Sequence, residues 1–327
     1  MKAFTHTHYG PPSVLTMTDL VTPKPAPDEI LVRVHASSIN SADLDHVRGT
    51  AFGRMAGLWG PRYKVIGSDI AGEITAVGKE VQGLAVGDRV YADLTEYGFG
   101  AFAQFIALPW KAVTLIPDHL TYTQAAALPS AAVIAMQGIQ AKDLGPGSQV
   151  LINGAGGGMG TYALQLAKAA GATITAVDKG VKLDALLAMG ADRFIDYNKT
   201  SYTKENHQYD LILDCQGFFS AFTYRRILKP GGVYRMIGGS IGSLINVFFV
   251  GGHLSRRSNK SIGLLLGRPN RKEDMDLLAS LTQSGRMVPI IDRVFPFDQL
   301  TQAFTYYEQG TFVGKVVIDI VPQAPSE

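Results

Sequence analysis

Residues 151–160 read Leu-Ile-Asn-Gly-Ala-Gly-Gly-Gly-Met-Gly, an apolar run that stops in a cluster of glycines. The stretch that follows, Thr161-Tyr-Ala-Leu-Gln-Leu-Ala-Lys-Ala-Ala, has the composition of a helix. Strand, tight glycine turn and helix together place free N–H groups and the helix dipole under a phosphate. The glycines let the backbone approach the anion. A flexible loop would also be glycine-rich, so the turn has to be judged with what surrounds it.

Its surroundings repeat one rhythm. Strand-like runs at Gln149–Asn153, Thr173–Asp178, Arg193–Tyr197, Tyr209–Asp214 and Gly232–Ile237 alternate with helical stretches at 158–170, Val181–Met189 and Ser220–Leu228. That alternation predicts a doubly wound parallel sheet. Gln124–Gln140 is rich in helix formers. The first third differs, with short strands at Ile30–Ala36, Gly72–Gly78, Gly87–Ala92 and Gly100–Leu108 punctuated by glycine, the pattern of a small irregular β-barrel. Lys272–Ser284 predicts a helix. The tail from Ile290 returns to strand character and ends in Gly314-Lys-Val-Val-Ile-Asp-Ile, a run expected to pair back with the first domain. The expected organisation is a barrel-like domain over 1–122, a nucleotide-binding domain inserted at 123–267, and a return to the first domain over 268–327.

The chain has 327 residues, 46% hydrophobic residues and a net charge of +2, which suits a folded globular protein and not a disordered one. No basic stripe marks a nucleic-acid partner. The apolar segment Leu244–Gly251 is far too short to span a bilayer. A single cysteine, Cys215, excludes an internal disulfide and every thiolate-rich metal site, and it reads as an inert core thiol. With no signal-like N-terminus, a cytoplasmic location is expected. The seven histidines are scattered without metal-ligand spacing, so no metal site is expected.

A dinucleotide site also needs an acidic residue at the end of the second strand, ~20 residues past the glycines, for the adenine-ribose hydroxyl. Asp178 stands there; a simple turn or cap role is the alternative.

Several motifs in combination now resemble one family: Ser38-Ile-Asn-Ser-Ala-Asp43, Gly67-Ser-Asp-Ile-Ala-Gly-Glu-Ile-Thr-Ala-Val-Gly78, Gly87-Asp-Arg-Val, Ala155–Gly160, Met189-Gly-Ala-Asp192, Phe194-Ile-Asp-Tyr197 and Gly314-Lys-Val-Val-Ile. The chain resembles the zinc-independent medium-chain dehydrogenases/reductases, in the quinone oxidoreductase (zeta-crystallin-like) branch, from Met1 to about Ile320. The fold this implies is a GroES-like β-barrel catalytic domain carrying an inserted Rossmann domain, with the acceptor bound between them. Met159 stands where the family's glycine turn has a valine, and Ile134 where it often has a threonine.

The resemblance implies NADPH, with NADH as the alternative. Ala155, Gly157, Gly158, Met159 and Gly160 would form the phosphate turn, and Lys182 and Tyr197 would take the 2′-phosphate. Asp178, Gly238 and Lys315 complete the expected cofactor set. Asp178 would repel that phosphate unless it turned away or Lys179 neutralised it. Asn40 occupies the place of a zinc-binding cysteine and Ser68 that of a histidine. Without zinc to polarise a simple carbonyl or alcohol, hydride transfer favours quinones and α,β-unsaturated carbonyls, whose charge is delocalised. Asn40 is expected to contact the nicotinamide or the acceptor oxygen, and Asp43 to cap or brace its loop. Tyr63 or His46 is a candidate donor in place of a tyrosine the family often has. The apolar stretch Gly49–Pro61 would be a lid or a buried loop. Leu244–Phe249 would close over the nicotinamide or make a dimer contact. A homodimer built by edge pairing of the nucleotide-domain sheets is implied. Two other functions stay open: a 2-enoyl-thioester reductase, and a nucleotide-binding sensor or structural protein without turnover.

Overall fold

A strand buried on one face should alternate apolar and polar residues, and Glu29-Ile-Leu-Val-Arg-Val-His-Ala-Ser-Ser38 does so. Ile30, Val32 and Val34 point into the core while Arg33 is exposed. The computed structural model describes residues 1–321, so 322–327 of the expected C-terminal segment lie outside the described residues. Its contacts divide it into two units. One comprises Met1–Ala131, Pro269–Gln283 and Pro289 onward; the other comprises Ala132–Arg268 with Ser284–Val288.

The first unit opens with the hairpin β1 (Lys2–Thr5) and β2 (Thr16–Asp19), followed by β3 (Glu29–Ser38), β4 (Asp69–Val77), β5 (Arg89–Asp93), β6 (Phe105–Pro109) and β7 (Thr114–Leu115). Helix α1 (Ser41–Arg48) leaves the end of β3 and is followed by the short α2 (Ala51–Arg54). The helical stretch expected over 124–140 is two helices, α3 (Tyr122–Ala126) and α4 (Pro129–Ile139). A proline lacks the N–H a continuous helix needs, so Pro129 starts the second instead of extending the first.

The second unit contains β8 (Gln149–Asn153), α5 (Gly158–Ala169), β9 (Thr173–Asp178), α6 (Leu183–Ala188), β10 (Arg193–Asp196), β11 (Tyr209–Asp214), α7 (Ala221–Ile227), β12 (Leu228–Met236), α8 (Ile241–Asn246), α9 (Gly252–Arg256) and β13 (Ser261–Leu264). All its strand pairs are parallel, in the order β10-β9-β8-β11-β12-β13. This is the dinucleotide-binding order, whose direction reverses between β8 and β11. Asn153 ties the carboxyl ends of those two strands by donating to Asp214 at 2.8 Å. At the edge, Ile262 of β13 donates its N–H to Ser255 Oγ at 2.8 Å and accepts from the same hydroxyl at 3.2 Å, so α9 covers part of an otherwise open strand.

The chain then adds α10 (Lys272–Gln283), β14 (Ile291–Pro296), α11 (Leu300–Gln309) and β15 (Lys315–Asp319) to the first unit. The sheet there runs β14-β15-β3-β4-β5-β7, with β6 also on β3, and β15 lies antiparallel to β3. The tail returns to strands as expected, but helix α11, which the sequence reading did not include, separates them. Leu300, Ala303 and Phe304 recur at helical spacing and are fully buried, and Gly310 closes the helix in the left-handed conformation at φ +62°.

Candidate functional site

In the second unit the glycine turn joins β8 to α5. Gly154 has φ +84°, and a Cβ on Gly160 would sit 2.2 Å from the Gly154 carbonyl oxygen. Only glycine permits this approach of backbone to backbone at the start of a twelve-residue helix. Ala155, Gly157, Gly158, Met159 and Gly160 thus lie where the sequence places the phosphate turn, and the cradle fits a dinucleotide pyrophosphate.

Asp178 ends β9 beneath this turn. It is 5% exposed, and its oxygens accept from Gly156 N at 2.7 Å and Lys179 N at 2.8 Å. Lys182 Nζ lies 3.2 Å from the same carboxylate and is itself buried. The Lys182 ammonium thus offsets the Asp178 charge, a pairing the sequence had not suggested. Three of the ~four acceptor positions of this carboxylate already have partners within the chain. Tyr197 follows β10, exposes 39% of its surface and donates its backbone N–H to the Asp178 carbonyl at 3.3 Å. Burial, Asp178 and Asp196 raise its phenol's pKa, so it stays a neutral hydroxyl donor. Lys182 and Tyr197 thus both meet Asp178, one through its ammonium and the other through its backbone N–H. Gly238 lies just past β12, where a Cβ would meet the Cys215 carbonyl oxygen at 2.5 Å. Cys215 follows β11, and burial pushes its thiol up.

The first unit holds a second constellation, around the end of β3. Asn40 caps α1, its backbone N–H donating to Asp43 Oδ2 at 2.8 Å. The Asn40 amide nitrogen donates to Ser68 Oγ at 2.9 Å and to Asp69 Oδ2 at 2.8 Å. Its Oδ1 accepts from Lys315 Nζ at 2.5 Å, and Lys315 also pairs with Asp69 Oδ2 at 3.2 Å. Ser38 Oγ donates to Asp69 Oδ2 at 2.7 Å, and Ser130 N to Asp69 Oδ1 at 3.0 Å. Lys315 and Asp69 are 2% and 0% exposed, so neither charge is eased by water. Removing one partner of such a pair costs about 3–5 kcal/mol.

Lys315, expected among the cofactor ligands, is placed by the structure in this network of the first unit. Both N–H bonds of the Asn40 amide are also spent inside it. Asn40 therefore has no donor left for an acceptor oxygen, and what it offers outward is a lone pair on Oδ1. Asp43 is fully buried and accepts from Ser68 Oγ at 3.3 Å. Burial first, and then Asp69, push its carboxyl up to about 8, so it is a neutral acid at pH 7. Burial and Asp69 also lift Asp93 to about 6.

An amide, a hydroxyl and a carboxylate already paired with an ammonium do not fit zinc, which is held by thiolate, imidazole or unpaired carboxylate. Asn40 and Ser68, at the places of two ligands, are bonded directly to each other. Among the described residues no group of three or more His, Cys, Asp or Glu side chains could hold a metal ion. Asp69 was given no role by sequence reasoning, although it anchors this network. Its only signal was an acidic residue at the head of the apolar run Ile70–Gly72.

Tyr63 stands apart from the network. Its ring packs 5.8 Å from His46 and 5.1 Å from Phe99, and its carbonyl oxygen is 3.1 Å from His6 Nε2. Burial holds the His46 imidazole below its ordinary pKa. Phe99 reaches this cluster with a left-handed φ of 65°, between two glycines of positive φ. The neighbouring loop is pinned by Tyr9, whose hydroxyl donates to Gly57 O at 2.6 Å and Gly60 O at 3.0 Å. Phe52, Met55, Leu58 and Trp59 are exposed, Trp59 to 96%, so the buried-loop alternative for Gly49–Pro61 does not hold. Phe248 and Phe249 of the 244–249 segment are likewise exposed. No helix among the described residues is long and apolar enough to cross a membrane.

The sequence matches two family models, an alcohol dehydrogenase GroES-like domain over residues 26–118 and a zinc-binding dehydrogenase over 189–318. It is 31% identical to a 2-methylene-furan-3-one reductase of Solanum lycopersicum, covering 98% of this chain and 80% of that one. It is 29% identical, with the same coverage, to a chloroplastic NADPH-dependent alkenal/one oxidoreductase of Arabidopsis thaliana. A quinone oxidoreductase structure from Coxiella burnetii superposes with a TM-score of 0.87 at 25% identity, covering 98% of this chain and 99% of that one.

Proposed function

The chain belongs to the medium-chain dehydrogenase/reductase family, in its quinone oxidoreductase branch, and from that premise we propose that it reduces quinones or α,β-unsaturated carbonyls with NADPH and without zinc. The observation that carries this reading is the hydrogen-bonded network of Asn40, Ser68, Asp69 and Lys315, in which Asn40 and Ser68 stand at the places the resemblance assigns to two zinc ligands. A simple carbonyl would then lack its Lewis acid, whereas a conjugated acceptor spreads the developing charge over several atoms. The activities named for the tomato and Arabidopsis relatives belong to the same acceptor class.

In this reading the 155–160 turn holds the pyrophosphate, and Lys182 and Tyr197 hold the 2′-phosphate. NADPH, when bound, supplies the hydride. Asp178 supports the turn from below and keeps Lys182 in place. Asn40 accepts one hydrogen bond from an N–H or O–H of the bound cofactor or substrate. Asp43 braces the loop that carries it, and the proton completing the reduction comes from solvent.

The test is oxidation of NADPH, and separately NADH, with 1,4-benzoquinone, 9,10-phenanthrenequinone, 2-alkenals and a crotonyl thioester. Turnover of a quinone or alkenal with NADPH is expected. Turnover of the thioester alone would favour the enoyl-thioester alternative, and NADPH binding without turnover of any acceptor would favour a non-enzymatic role.

A further inference from the structure

We propose that Lys315 is a positioning residue that sets the orientation of the Asn40 amide and, through it, the geometry of hydride transfer. An ammonium has donors and no acceptor. With Lys315 Nζ 2.5 Å from Asn40 Oδ1, the amide can present only its oxygen to that side. Asp69 Oδ2, an acceptor 2.8 Å from Nδ2, enforces the same choice from the other side. Turning the amide over would set NH2 against the ammonium and the carbonyl oxygen against the carboxylate. Both contacts would be repulsive, and with Lys315 2% exposed and Asp69 fully buried, water could relieve neither.

The lysine is itself held. Gly314, at φ +92°, turns the chain so tightly that a Cβ there would lie 2.2 Å from the Ile290 carbonyl oxygen, and β15 starts at the next residue. Its ammonium is then fixed between Asn40 and Asp69. Ser68 and Asp69 at the head of β4, Asn40 before α1 and Lys315 at the head of β15 thus converge on one amide. A network serving stability alone would need the Lys315–Asp69 pair. It would not need both N–H bonds and the carbonyl of a half-buried asparagine to be committed in one sense.

This inference rests on the NADPH-dependent reading, which turnover by the unmodified protein tests on its own. The test proper is a double-mutant cycle of Lys315→Met and Asn40→Ala in the full chain, with NADPH and a 2-alkenal. Lys315→Met is expected to lower kcat by roughly 10- to 100-fold with little change in the KM for NADPH, as a misplaced reacting geometry does. Lys315→Arg, which restores a buried cationic donor, is expected to recover most of the loss. In the Asn40→Ala background, Lys315→Met is expected to change kcat by less than about twofold, because its route of action is already gone. Should Lys315→Met fail to fold, Lys315→Met combined with Asp69→Asn removes the stranded charge and takes its place in the cycle. Equal losses from Lys315→Met with and without Asn40 would overturn the proposal. So would an Asn40→Ala enzyme with unchanged kcat, which would remove the role of Asn40 as well while leaving the NADPH-dependent activity standing.

Discussion

Under the proposed reading Lys182 would act on cofactor choice twice, as a cation for a 2′-phosphate and as the counter-charge to the Asp178 carboxylate, which lies 3.2 Å from its Nζ. Lys182→Ala is expected to raise the Kd for NADPH by roughly 10- to 100-fold, the range for a lost hydrogen bond to a charged group. It should leave NADH binding unchanged or improved, since Asp178 is then released toward a ribose hydroxyl. Isothermal titration with both cofactors measures this, and equal weakening of the two would show that Lys182 does not meet the phosphate. Asp43 makes a different prediction. Its carboxyl sits at about 8 in the folded protein, above the ~3.9 of an unfolded chain, so the folded state holds a proton that the unfolded state releases. The stability this contributes is complete below about pH 4 and is lost as pH rises to about 8. Urea unfolding across that window should show declining stability, with a shallower decline in Asp43→Asn; an identical slope in the variant would contradict the assignment. Neither the Asp178–Lys182 pairing nor the Asp43 environment could be read from the sequence. Lys315 and Asp69 are 246 positions apart, and only the fold puts an ammonium beside that carboxylate.

At the scale of elements, much more was legible. The strands Gln149–Asn153, Thr173–Asp178 and Tyr209–Asp214 coincide with the runs read from the sequence, because parallel strands buried on both faces are continuous apolar segments bounded by turns. Helix α11 was not legible, because its apolar spacing lies between two strands of similar composition. The phosphate turn was legible because its chemistry is backbone chemistry, which glycine announces directly. Gly160→Ala would place a methyl 2.2 Å from the Gly154 carbonyl oxygen. The turn must then open, at a cost of about 1–3 kcal/mol. Lower thermal stability and loss of NADPH binding by fluorescence titration are expected together, and a variant with normal affinity would show that this turn does not hold the cofactor.

At the scale of the whole molecule, family membership sets the chemistry that is available, and the residues decide which part of it this chain uses. Its second unit has the dinucleotide-binding strand order, while in its first unit Asn40 and Ser68, at the two zinc-ligand places the resemblance implies, are hydrogen-bonded to each other beside an ion-paired carboxylate. Of the two edge strands of the second unit's sheet, β10 and β13, the latter has the backbone groups of Ile262 taken by Ser255. Reduction of conjugated carbonyls with NADPH and no metal, as proposed, can be measured directly. After exhaustive dialysis against a zinc chelator, with metal content checked by elemental analysis, the protein is given NADPH and a 2-alkenal and the nicotinamide absorbance is followed. An undiminished rate with zinc far below one equivalent is expected. An activity that disappears on chelation and returns with added zinc would contradict it.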